Sequence, residues 1–563
     1  MAVPFLFGNE IGGIRRDYLD ANFAAASQGG TVSTAFATLA LAVAAAAGGT
    51  LYVVGAYTTA TAIPVASGTR IVMMAGSSLT VTASDVSGFV ANGVANVVIE
   101  GPGRISSNVS GTTLVSGLVR FANAAFCHVV GVEFSGGQWS GVFIDQGSIG
   151  CTARYNRFRN WGAIYQDSNA VAFYGNVSGC QAIGNYIDCP TMDHGVLVQD
   201  PYAGTLPSRN VVLCNRIFNV RSYGLLCYQP GTAGQGDTWN QFVANHVEGV
   251  TGAGVGGAGG AGIYVVGAWA GGTLIANNTF HNCCTATTLA TLTPAAIGIN
   301  GISALTSPVD VIGNHITGMT QGHGIFASGS NVNIVGGSIR MPAANNGTGP
   351  GGAGLLGSGI QGIQSSMQIV DPDIAVLGTG NAIFSYATGA TVDALSINGG
   401  QLVSATTDCL SLAQNGGFLH TNVSIRTRCK VTGATGIGVR LQNVDSGIVD
   451  CVSTGGAFTL LLNASPRLRI GGRLSGAATG SINIAGTCTE SVLSMDFGGN
   501  PAGVVNGAGS GARIYWDSNS SPASGTWAVG DKVLQSAPVV GNPKGWRCTV
   551  AGAPGTWISE GNL

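Results

Sequence analysis

ARYNRF (Ala153–Phe158), AIGNYI (Ala182–Ile187), VLCNRI (Val212–Ile217), FVANHV (Phe242–Val247), IANNTF (Ile275–Phe280) and VIGNHI (Val311–Ile316) repeat one pattern. It is an apolar run, an Asn, any residue, then a large apolar anchor. The Asn recurs at 156, 185, 215, 245, 278 and 314, at intervals of 29 to 36 residues. A looser form, the anchor alone, extends the series through Ile105, Phe134, Ile339, Ile374, Leu402, Ile425, Val452, Leu474 and Phe497. Short β-rich runs punctuated by Gly and Asn at such a period indicate a solenoid of stacked coils. One coil cannot bury its own apolar side. Stacked coils bury it continuously, pairing strands coil to coil at about 4.8 Å. The Asn column suits a coil corner, since Asn tolerates left-handed backbone and its amide can bond along the stack. The Leu-x-x-Leu-x-Leu signature of leucine-rich repeats is missing. The fold class expected is all-β: a right-handed parallel β-helix with a short N-terminal capping helix and a small C-terminal β module.

Composition agrees. Gly contributes 91 of 563 residues and charged residues only 9%, so Ser, Thr and Asn supply most of the polarity. The net charge is −2 and no basic block occurs, which argues against a nucleic-acid partner. Arg outnumbers Lys 20 to 3, and its fork suits carboxylates and sugar hydroxyls. Of 13 cysteines, Cys127, Cys151 and Cys180 each stand seven residues before an anchor. They are expected to form a buried ladder of thiols behaving as small hydrophobes. No His or second Cys has a matching metal-ligand spacing, so neither metal nor cofactor is expected. Free thiols point to folding in a reducing cytoplasm.

Met1–Gly30 shows no signal-peptide pattern. Thr34 can cap a helix over Ala35–Ala47, ended by Gly48-Gly49. That run is too short to cross a bilayer, and a lid over the open first coil is its better use. The expected domains are 1–30, an attachment segment; 31–500, the capped β-helix; and 501–563, the C-terminal module.

Between Gly131 and Gly324 the coils differ chiefly in the loop after each anchor. Stacked, these loops would make one face carrying Trp139, Arg159, Trp161, Tyr165, His194, Arg221, Tyr223, His281 and His323. Flat rings and hydrogen-bonding forks of this kind suit sugars. The same face would hold Asp167, Asp188, Asp193 and Glu248, candidates for the acid and base that glycoside cleavage needs. A second loop column, Asp145, Asp200, Tyr202, Asp237, Trp239 and Trp269, is the alternative site. The competing reading of any one Asp is a turn former or an Arg partner. No alternating-Asp calcium loop and no nucleophile elbow is present. β-Elimination of a uronate stays open, with Arg159 and Arg221 able to hold the acid.

Three segments carry a resemblance. DYLDANF at Asp17–Phe23 is similar to the first residues of many phage tail fibres and spikes. The Ala-rich run followed by GGTLYVVGAY (Gly48–Tyr57) and IPVASGT (Ile63–Thr69) looks like the start of the β-helix in bacteriophage tailspikes and related pectate-lyase-like proteins. GTWAVGDKVLQSAPVVGNPKGWRCTVAGAPGTW at Gly525–Trp557 resembles a small β module that closes many phage tail proteins. The resemblance implies a homotrimeric virion spike, made in the host cytoplasm and acting at the host surface. It would bind, and often depolymerise, surface polysaccharide of a bacterium, by hydrolysis or lyase chemistry. A non-enzymatic glycan receptor-binding tail protein is the alternative. Partners implied are that polysaccharide, two further copies of the chain and a phage baseplate or adaptor protein, without membrane insertion. Gly322-His323-Gly324 is similar to a polygalacturonase motif, but that family's paired aspartates are absent one coil upstream, so its mechanism is not carried over.

Overall fold

A computed structural model of the chain describes residues 16–20, 38–109, 117–137, 139–161, 167–200, 206–229, 237–252, 260–268, 270–283, 294–302, 307–320, 322–343, 357–388, 390–415, 418–477, 479–496, 504–506, 513–516, 520–523, 525–535 and 539–563. The chain divides into two units, Met1–Thr191 and Met192–Leu563. Each is a parallel β-helix. No helix among the described residues is long and apolar enough to cross a membrane.

In the first unit, the strand Arg16–Asp20 lies parallel to Thr50–Val54. The helix is Leu39–Ala45, shorter than the Ala35–Ala47 expected, and it buries Leu39, Ala42 and Val43. Thr38 is extended at φ −143°, and its hydroxyl accepts the Leu41 N–H at 3.3 Å, so the helix starts there. Thr34 lies outside the described residues. A typical coil then consists of two three-residue strands and one of six, such as Thr152–Arg154, Arg157–Arg159 and Asn169–Tyr174. The anchors Ile105, Phe134, Phe158 and Ile187 sit in register coil upon coil and are fully buried. The rings of Phe134 and Phe158 stack at 4.9 Å and 9°. Each such side chain contributes roughly 1.5–3 kcal/mol by leaving water.

The second unit repeats this scheme. Its anchors run Ile217, Val247, Phe280, Ile316, Ile339, Ile374, Leu402. Beyond Leu402 the column departs from the sequence expectation. The two short strands merge into long ones, Ser396–Ser404, His420–Val431 and Val444–Thr454, each carrying two inward columns. A bulge between Asn398 and Gln401 shifts the register. Leu402 therefore meets Cys429, then Ser453, then Leu474. Ile425 belongs to the other column, over Ile397, and Val452 is displaced by one residue to the outer face, 42% exposed. Phe497 lies outside the described residues. The parallel sheet continues to Arg513–Trp516, past the boundary at 500. An antiparallel sheet of Lys532–Leu534, Gly545–Val550 and Thr556–Ser559 follows, with Trp527 buried edge-on to Trp557 at 5.0 Å.

The Asn column is a hydrogen-bond ladder. In the first unit the Asn185 Oδ1 accepts both the backbone N–H and the Nδ2 of Asn156, at 3.0 and 3.1 Å. In the second, Asn245, Asn278 and Asn314 accept the same pair from Asn215, Asn245 and Asn278. The left-handed backbone is not at the Asn but at the residue before it: Tyr155, Gly184, Cys214, Ala244, Asn277 and Gly313, all at φ 54–62°. The ladder thus uses Asn for its amide, which supplies both a donor and an acceptor along the stack.

The thiol ladder is present. Cys127, Cys151 and Cys180 are buried and form no disulfide, with Sγ near backbone carbonyls. Contact with the Cys151 thiol, and burial, push the Cys127 thiol far up.

Candidate functional site

Alternation decides which side chains each coil shows to solvent. Where the anchor points in, its two neighbours point out. In the first unit this puts Glu133 and Ser135, Arg157 and Arg159, and Tyr186 and Asp188 outward, in register across three coils. In the second it puts Phe218, Glu248, His281 and Thr317 in one outer row. Asp188 and Glu248 are therefore strand residues, closing Tyr186–Asp188 and His246–Glu248, not loop residues as expected.

The guanidinium carbons of Arg157 and Arg159 stand 5.4 and 5.6 Å from the centroid of the Tyr186 ring, within cation–π range. The Tyr186 hydroxyl lies 3.5 Å from Asp188 Oδ2. Arg157 and Tyr186 were missed from sequence, although their places beside Phe158 and Ile187 mark them as outward. Glu248 has a half-exposed carboxylate, 3.1 Å from His246 Nε2. His281 bonds Thr317 through Nδ1 at 2.9 Å, and its ring covers Gly318, where a Cβ would come within 2.7 Å of it.

Several expected sugar contacts are instead packed inside. In the first unit, all six residues of Ser140–Asp145 and of Asn169–Tyr174 are buried, so the outer face of this sheet is covered too. Trp139 forms part of that cover, edge-on to Phe143 and Tyr174 at 5.0 and 5.3 Å, and is 1% exposed. Trp161 is also buried, against Gly137, where a Cβ would fall 1.8 Å from the indole. Asp145 is buried and paired with Arg120 at 2.6 Å; burial pushes its carboxyl up, and Arg120 opposes this. Asp167 takes a left-handed turn at φ 63°.

In the second unit, Asp193, His194 and Tyr223 are buried. Asp193 faces Arg221 at 3.5 Å, and its carbonyl accepts the Ser222 and Tyr223 N–H groups. His194 lies over Tyr223, which stacks on Tyr264 at 5.3 Å and 9°. This is a packed polar seam rather than an open face. Asp200 is buried, and Asp237 accepts the Ser307 N–H at 2.9 Å. Trp239 is 49% exposed, with its ring covering Gly272; one indole face is thus available for stacking. Tyr165, Tyr202 and Trp269 lie outside the described residues. Among the described residues, no His, Cys, Asp and Glu cluster could hold a metal ion. A small cavity in the second unit is lined mainly by Val311, Ile316, Ile325, Ile334, Ile360 and Ile374, with Asn314, Ser338 and Asp373 among its polar walls.

His323 is buried, and its Nδ1 accepts the Ser358 N–H at 3.0 Å, which leaves the proton on Nε2. Burial pushes its pKa down to about 3, and that of His420 to about 4. Below about pH 6.5 the unfolded chain takes up protons that folded His323 refuses, so stability falls as pH drops toward 3. For His323 the loss reaches the order of 4 kcal/mol. Denaturation series from pH 7 to pH 4 should show this slope, and His323→Gln should flatten it. An unchanged slope in the variant would contradict the assignment.

No family model and no curated protein matches the chain. Among solved structures it is similar to the Streptococcus pneumoniae surface protein and adhesin PfbA, at 12% identity over 62% of this chain and 95% of that one, TM-score 0.42. It is also similar to a family 28 exopolygalacturonase of Yersinia enterocolitica, at 10% identity over 85% and 78%, TM-score 0.34. A third is the tailspike protein of E. coli bacteriophage HK620 in complex with a pentasaccharide, at 12% identity over 84% and 78%, TM-score 0.36. At such similarity no side chain's role passes from these proteins to this chain.

Proposed function

We propose that this protein is a bacteriophage tailspike that binds and depolymerises a bacterial surface polysaccharide. The observation that carries this reading is the outer strand face, where Tyr186 is held against Arg157 and Arg159 beside Asp188. Rings and forks fixed on strands rather than loops are what ordered sugar recognition needs. Exposed Trp239 adds a stacking surface in the second unit. The resemblance of both chain ends to phage tail proteins supports the spike reading, with a baseplate or adaptor protein as attachment partner. Exposed Leu377, Ile448 and Val452 support a homotrimer, which light scattering should report at about three times the 56.4 kDa chain.

For hydrolysis, one carboxyl protonates the glycosidic oxygen while another, as carboxylate, activates water or attacks the anomeric carbon. Asp188 in the first unit and Glu248 in the second are, each within its own unit, the candidates that combine an outward strand position with solvent access. A second reading, binding without cleavage, draws support from carboxylates already facing guanidiniums: Asp145 faces Arg120 and Asp193 faces Arg221.

Purified full-length protein spotted on bacterial lawns should clear a halo in the surface polysaccharide. A new reducing end in the released oligosaccharides indicates hydrolysis, and an unsaturated uronate indicates a lyase. Cell binding without release selects the second reading. Failure to bind any polysaccharide-coated cell ends both.

A further inference from the structure

We propose that the coil carrying Arg154, Arg157 and Arg159 is an anion-selecting subsite, and that the glycan is an acidic polysaccharide. This rests on the glycan-binding reading above and narrows it to a substrate class.

Pairing elsewhere in the protein makes the contrast. Arg70 meets Glu100 at 2.8 Å, Arg120 meets Asp145 at 2.6 Å, and Arg440 meets Asp408 at 2.6 Å, each from a neighbouring coil. Arg340 with Asp373 and Arg467 with Asp445 do the same. Other arginines among the described residues, such as Arg209, Arg216, Arg428 and Arg469, close no ion pair, but they do not gather on one coil over one aromatic ring. The coil 151–161 differs. Its outward positions are Thr152, bonded to His128, and Arg154, Arg157 and Arg159, and among the described residues none of the three arginines has a carboxylate oxygen within 4.0 Å. Glu133 and Asp188 are register neighbours of Arg157 and Arg159, yet neither closes an ion pair with them. The two guanidiniums lie over Tyr186 instead. Arg104 lies on the far side of Glu133 in the same row. Burial, and then the charge of Arg154, push the pKa of His128, on the adjacent outer strand, down.

Stacking on a ring orients a guanidinium without using up its donors. Five N–H groups per Arg remain to be satisfied, and planar oxyanions are their best partners. The array has a direction. Arg157 and Arg159 are two residues apart on one strand, about 6.7 Å, so they can grip successive groups along an extended chain. Net charge sharpens the point. The whole chain is −2, so it has no general attraction for a polyanion. Attraction must be local, and this coil gathers three guanidiniums, two of them over one ring, without an ion pair among the described residues. A carboxylate, sulfate or phosphate on the glycan meets the same donors; a neutral glycan leaves them to water.

The test is electrophoresis of the intact protein through native gels cast with alginate, with carboxyl-reduced alginate, or with dextran. Expected is retardation by alginate, little by the other two, and loss of the effect as salt is raised. Arg157→Gln with Arg159→Gln should weaken the alginate effect about tenfold or more, given the strength of charge-assisted contacts. Arg428→Gln, which removes an exposed arginine from the second unit, should leave it unchanged. Melting curves of the variants check that the fold is kept; the two sites point outward, so it should be. Equal retardation by carboxyl-reduced alginate or dextran overturns the acidic class while leaving glycan binding intact. No retardation by alginate, or an equal loss in Arg428→Gln, also overturns it. An altered oligomeric state in the double variant, with alginate retardation unchanged, assigns the patch to contact between copies of this chain and overturns it as well. The lawn assay above decides the glycan reading separately.

Discussion

Asn245→Ala is expected to lower the unfolding free energy by about 3–5 kcal/mol. The Asn245 Oδ1 accepts the backbone N–H and Nδ2 of Asn215, at 3.0 and 2.9 Å, and its own Nδ2 donates to the Val212 carbonyl at 2.9 Å. The residue is 1% exposed. Alanine removes both functions, leaving polar groups of two coils buried without these bonds, at about 1–3 kcal/mol each. Asn245→Asp should be at least as harmful, because one carboxylate oxygen would face the Val212 carbonyl. The neighbouring residue behaves oppositely. Ala244 is held at φ 54°, which costs a residue with a Cβ roughly 1–2 kcal/mol, so Ala244→Gly should be neutral or stabilising. Guanidinium denaturation of the full chain checks both. An Asn245→Ala midpoint equal to wild type would mean that the ladder bonds are replaceable by water.

The second large effect concerns rate. Asp188→Asn is expected to cut glycan depolymerisation by roughly 10²–10⁴-fold, the usual scale of acid–base assistance, if the first unit carries the site, and Glu248→Gln to do so if the second unit does. Both side chains point out of the coil, so melting temperature and cell binding should hardly move. Asp193→Asn should behave differently. It faces Arg221 in a buried seam, and removing one partner of such a pair costs about 3–5 kcal/mol. Its effect should therefore appear first as lost stability. Released reducing ends and melting curves, taken together on the three variants, separate a catalytic carboxylate from a structural one. Full activity in both Asp188→Asn and Glu248→Gln would remove them from the mechanism.

The period of the Asn and anchor residues was enough, by itself, to determine the parallel β-helix, its corner ladder and its inward anchor column as far as Leu402. Those features are local: each coil repeats the same apolar–Asn–apolar rule, and stacking follows because one coil cannot bury its own face. The thiol ladder was legible for the same reason. What the period does not encode is the outside of the coil. Whether a long strand such as Ser140–Asp145 shows its outer side to water depends on what covers it, and Trp139 does so. Sequence spacing therefore marked Trp139, Trp161, His194 and Tyr223 as a sugar face, and packing buried them. A bulge of one residue at Asn398–Gln401 likewise sent Ile425 to another column and Val452 outward, since a single-residue slip reverses every side chain on a strand. The pairing of charges was also undecidable from spacing. Arg120 and Arg159 each sit among the outward residues of a strand, but only the fold gives the first an aspartate at 2.6 Å and the second a tyrosine ring at 5.6 Å.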